Sequence, residues 1–135
     1  VAAWEQREKQ IAAGEHTRRE CWRHDFLQEL RARLPASELL GEGAPRLWNT
    51  AAVLMPPAAD CHRRWVVQLD KRGFAVSTGS ACSTGKEKPS HVVTAMGFES
   101  AGDRMLRFSA GWDTTAHDWQ NLAAAILECH RTLSA

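Results

Sequence analysis

No apolar run in this sequence approaches the ~20 residues needed to cross a bilayer, and the charged opening from Trp4 to Lys9 does not suit a secretory signal. A membrane partner is therefore not expected. An excess of one charge is missing too: 17 Lys and Arg against 16 Asp and Glu leave a net charge of +1, which gives nucleic acid no electrostatic footprint. Cys-x-x-Cys pairs are absent, since Cys21, Cys61, Cys82 and Cys129 stand far apart. That spacing argues against a zinc knuckle or other metal site, and nothing resembles a small secreted disulfide scaffold. Free thiols in a reducing, cytoplasmic setting are expected. There is no internal repeat or low-complexity tract. The chain opens without Met, directly in helix-like sequence, so a piece of something longer is expected.

What is present fits a compact chain. Hydrophobic residues make up 44% and charged residues 24%, and 135 residues suit one domain over 1–135 with little room for a second. Residues 4–34 are rich in helix formers, and Trp22, Phe26, Leu27, Leu30 and Leu34 form an apolar stripe at helical spacing, ended by Pro35. Gly14 interrupts the stretch, which leaves two helices or one kinked helix open. The Pro, Gly and Ser of 35–45 predict a surface connection before a strand over 47–54, stopped by Pro56 and Pro57. A short helix over 60–71 closed at Gly73, a strand over 74–76, a small polar loop over 77–86 and a helix from Pro89 to Met96 capped by Gly97 come next. Met105, Arg107 and Ser109 alternate with Leu106, Phe108 and Ala110, the period of a half-buried strand. Trp119, Leu122, Ile126, Cys129 and Leu133 mark a final helix, with Thr115 as its amino-terminal cap. Interleaved strands and helices predict an α/β or α+β class, a small sheet packed with helices.

Cys82 stands apart from the other cysteines, amid Gly79, Ser80, Ala81, Ser83, Thr84 and Gly85. A thiol attacks as its thiolate, which an ordinary cysteine holds only in small part at neutral pH. Lys86, Lys88, His91 and the start of the following helix could supply stabilising positive potential. On local chemistry alone, a loop cysteine is more often incidental than catalytic. Cys21, Cys61 and Cys129 read as ordinary buried or half-buried thiols, and Trp22 and Trp119 as core aromatics rather than stacking platforms.

Several motifs in one order change that balance. The run Val76-Ser77-Thr78-Gly79-Ser80-Ala81-Cys82-Ser83, then Pro89-Ser90-His91-Val92-Val93, Ala95-Met96-Gly97, Arg107-Phe108-Ser109 and Thr114-Thr115 resembles the active-site region of cysteine desulfurases. Arg46-Leu47 with Asn49-Thr50 resembles the strand entry preceding it, so the likeness covers roughly residues 46–133. Trp48 and Ala110 depart from the usual proline and leucine, away from the chemistry.

The resemblance implies the small domain of a class V, fold type I aminotransferase-like enzyme that is homodimeric and uses pyridoxal phosphate. Its substrate would be L-cysteine, with Cys82 taking the sulfur as a persulfide, L-alanine leaving, and iron-sulfur scaffolds or thiolation proteins as acceptors. Arg107 carries over as the holder of the substrate carboxylate; the bland alternative is an exposed arginine paired with Asp103. His91 is assigned no catalytic step. The family's histidine-lysine motif for the cofactor is not found, so no cofactor-binding residue is expected here and the large domain is absent. The chain alone is expected to be inactive. Two other readings are a small domain of a related enzyme, such as a selenocysteine lyase, and a stand-alone sulfur-carrier module.

Overall fold

The computed structural model describes residues 1–57, 61–78 and 90–134. Two helices open the chain, α1 (Ala2–Ala12) and α2 (Glu15–Arg33). They are separate because Gly14 takes φ 73°, a left-handed backbone that residues with a Cβ adopt at a cost. α1 buries none of its residues, whereas α2 buries Phe26, Leu27 and Leu30 on the expected stripe.

The later helices end and begin where cap chemistry requires. α3 (Cys61–Asp70) closes in a Schellman motif, with the Phe74 N–H donating to the Leu69 carbonyl at 3.0 Å and the Gly73 N–H to the Asp70 carbonyl at 2.9 Å. α4 (His91–Ala95) closes the same way, through Phe98 N–H to Val93 O at 3.1 Å and Gly97 N–H to Thr94 O at 2.9 Å. A 3-10 helix over Glu99–Arg104, not anticipated from the sequence, follows. α5 (Ala116–Ser134) starts in a reciprocal cap: the Asp118 N–H donates to Thr115 Oγ1 at 3.3 Å and the Thr115 N–H to Asp118 Oδ2 at 2.8 Å.

Three strands form the sheet: β1 (Glu38–Leu39), β2 (Thr50–Leu54) and β3 (Met105–Ser109), in the order β1-β2-β3 and antiparallel throughout. The expected mixed class holds, with antiparallel strands. Because side chains alternate along a strand, the register fixes what each face carries. Ala51 opposite Phe108 and Val53 opposite Leu106 face one way; Ala52 opposite Arg107 and Leu54 opposite Met105 face the other. The first face packs on α2, α3 and α5 through Phe26, Leu30, Trp65, Leu69, Trp119 and Ile126. Phe26 meets Phe108 edge to face, with centroids 5.5 Å apart. The second face gathers a smaller cluster, Leu40, Leu54, Val93, Ala101 and Met105.

Several expectations need correction. The strand expected over 47–54 begins at Thr50, because the carbonyls of Leu47 and Thr50 turn to the buried Arg23 guanidinium of α2, and Thr50 already pairs with Ser109, the last residue of β3. Residues 74–76 form no strand: the Phe74 N–H is engaged by the α3 cap, and only Ser77 bridges to β3. The 35–45 connection contains β1, two residues too short to show a period. Cys21 is exposed rather than buried or half-buried, and Trp22 packs at the edge of the core, half-buried, with the Arg18 and Arg19 guanidinium groups 5.4 and 5.7 Å from its ring. Cys129 and Trp119 are buried as expected.

Candidate functional site

Arg107 is held on the sheet face opposite α2, α3 and α5. Its backbone is fixed on both sides, by Ala52 of β2 and by Ser77, with which it exchanges two hydrogen bonds: Arg107 N–H to Ser77 O at 2.6 Å and Ser77 N–H to Arg107 O at 3.1 Å. The side chain is exposed, and its Nη2 lies 3.5 Å from Ser77 Oγ. Among the described residues it forms no ion pair, with the alternative partner Asp103 or any other; Asp103 is exposed in the 3-10 helix.

Arg107 opens onto a groove of about 430 Å³ between the sheet, the 40–47 turn and α4. Leu47, Val92 and Met96, all large and exposed, line it together with Met105. Arg46 lines it as well, and among the described residues the groove's lining contains two guanidinium groups and no carboxylate. The 40–47 turn is set by Gly41 at φ 66°, over which the Arg46 guanidinium lies, since a Cβ there would meet Arg46 Nη2 at 3.5 Å. Arg23 ties the turn's far end to α2. Burial holds the Arg23 guanidinium below the ordinary arginine value, Glu20 opposes this, and the nearby Arg46 charge adds to it.

Other motif residues prove to be architectural. Asn49 Nδ2 donates to Ala110 O at 3.1 Å while the Ala110 N–H donates to Asn49 O at 2.9 Å, closing the strand pair. Thr114 Oγ1 accepts the Gly111 N–H at 3.0 Å, and Thr115 caps α5. His91 is exposed at the start of α4. Cys82, Lys86 and Lys88 lie outside the described residues. Arg46 escaped the sequence reasoning as a groove residue: it stood inside a recognised motif, but only the folded turn brings it to the face that carries Arg107. Among the described residues no group of His, Cys, Asp or Glu could hold a metal, and no helix is long and apolar enough to cross a membrane.

The fold has counterparts among solved structures. A NifS-like protein from Rickettsia africae superposes with a TM-score of 0.71 over 86% of this chain and 29% of that one, at 21% identity. A second NifS-like protein gives a TM-score of 0.73 over 93% of this chain and 30% of that one, at 18% identity. The fold is thus that of a part of NifS-like proteins. No family model matches the chain. In sequence, the cysteine desulfurase of Cereibacter sphaeroides is 36% identical over 110 residues, 81% of this chain and 28% of its own length. That of Rhodobacter capsulatus is 34% identical over 77% of this chain and 27% of its own. A Frankia cysteine desulfurase is 48% identical over 65% of this chain and 20% of its own. The chain belongs to the cysteine desulfurase family, as a fragment equivalent to its small domain, and it spans under a third of the length of these curated relatives.

Proposed function

We propose that residues 1–135 are the carboxy-terminal small domain of a pyridoxal-phosphate-dependent cysteine desulfurase, in which Arg107 holds the carboxylate of L-cysteine and Cys82 receives its sulfur. The observation that carries this reading is the Arg107 guanidinium: set on a strand, exposed, facing a groove, and with no carboxylate partner among the described residues. A guanidinium so placed can grip a carboxylate through two parallel charge-assisted hydrogen bonds. The overall reaction balances without an outside oxidant: L-cysteine and the Cys82 thiol give L-alanine and a Cys82 persulfide. That is covalent catalysis with the thiolate as acceptor.

Pyridoxal phosphate, when bound, supplies the electron sink for the substrate carbon. The described residues do not suit its anchoring: no lysine lines the groove, and Lys9 and Lys71 lie on α1 and beyond the end of α3. Cofactor binding belongs to the rest of a full-length enzyme, and the 135 residues alone should release neither alanine nor sulfide from cysteine. In the whole protein, a cytoplasmic homodimer, the persulfide passes to acceptors such as iron-sulfur scaffolds or thiolation proteins. Cys82→Ser in the full-length enzyme tests this: sulfur transfer should stop while the cofactor's absorbance persists. A serine variant that still transfers sulfur would overturn the assignment.

A further inference from the structure

We propose that Ser77 is a positioning residue for Arg107, aiming its guanidinium at the substrate carboxylate. The inference rests on the carboxylate role given above to Arg107.

Three observations support it. Ser77 and Arg107 form a hydrogen-bonded antiparallel pair, closed by the 2.6 and 3.1 Å backbone bonds, so their side chains leave the sheet on the same face. On that face the opposite neighbour of Arg107 is Ala52, whose methyl group offers no hydrogen bond. Among the described residues the hydrogen-bond contact to the Arg107 guanidinium comes from Ser77, whose Oγ lies 3.5 Å from Nη2.

The chemistry suits steering rather than capture. A hydroxyl can accept one N–H of the guanidinium without neutralising it, and the remaining donors of the fork stay available to a carboxylate. A contact at the outer limit of hydrogen-bond distance narrows the rotamers without locking them. An aspartate at the same position would neutralise the fork, and an alanine would let it swing.

The test is a kinetic cycle in the full-length enzyme with L-cysteine, comparing the parent with Ser77→Ala, Ser77→Thr, Arg107→Lys and Ser77→Ala/Arg107→Lys. Ser77→Ala should raise KM about fivefold, the scale of one modest hydrogen bond, with kcat little changed. Ser77→Thr, which keeps the hydroxyl, should restore KM. In the Arg107→Lys background the alanine change should add almost nothing, because Ser77 acts through the fork that lysine lacks. An unchanged KM in Ser77→Ala, or a full further rise in the double variant, would overturn the proposal. If instead Arg107→Lys leaves KM unaltered, the carboxylate role of Arg107 itself fails and the positioning role falls with it.

Discussion

The two faces of the sheet divide the labour of this chain. One is dry and crowded, with Phe26, Leu30, Trp65, Leu106, Phe108 and Ile126 at 3% exposure or less. The other carries a small cluster beside a groove rimmed by Arg46 and Arg107. Both faces are built from the same two strands, and adjacent residues serve them in turn: Phe108 the core, Arg107 the groove. The contrast teaches that stability and recognition can be changed separately here, because a change at one position reaches the other only through the backbone.

The sharpest test of that separation is to empty the crowded face. Phe108→Ala should cost about 3 to 5 kcal/mol, since it deletes a ring buried against Phe26 and leaves a cavity; urea unfolding of the 135-residue chain would measure it. Arg107→Ala should leave the same unfolding curve nearly unmoved, yet in the full-length enzyme it should weaken cysteine binding by about 2 to 4 kcal/mol. A large stability loss there would break the comparison. Arg23→Met sits between the two faces in effect: it removes the donor shared by the Leu47 and Thr50 carbonyls, and a stability loss of about 1 to 3 kcal/mol is expected in the same titration.

Smaller still is the α5 cap, where Thr115→Ala should cost about 1 kcal/mol. The cap also sets a pH dependence. Hydrogen bonds from the Thr115 backbone and hydroxyl hold the Asp118 carboxyl below the ordinary aspartate range. A lowered folded-state pKa contributes stability above the unfolded value that is lost as pH falls through the folded one. Stability should thus decline below the ordinary aspartate pKa, and Asp118→Asn should flatten that acid limb in thermal scans taken at several pH values.

Local chemistry made much of the crowded face legible. The α2 and α5 stripes, the Gly73 closure and the Thr115 cap each depend on residues within a few positions of one another, which is the range that sequence periodicity and capping report. The groove depends on longer reach. Arg46 joins Arg107 only when the 40–47 turn folds beside β2, and Ser77 meets Arg107 at a separation of 30 positions along the chain. β1 has two residues and no period, and residues 74–76 look strand-like although the α3 cap engages their leading N–H. Alternation along β3 did place Arg107 on the outward face; what lies opposite it had to come from the fold. The role proposed for Cys82 rests on the likeness to a family, since local residues left an incidental thiol as the commoner case.

The central claim is sulfur on Cys82, and intact-protein and peptide mass spectrometry of the full-length enzyme after exposure to L-cysteine tests it most directly. One added sulfur on the peptide containing Cys82, removed by a reductant and missing from Cys82→Ser, is the predicted result. Added sulfur found only on Cys21, Cys61 or Cys129, or none at all while alanine is still released, would contradict it.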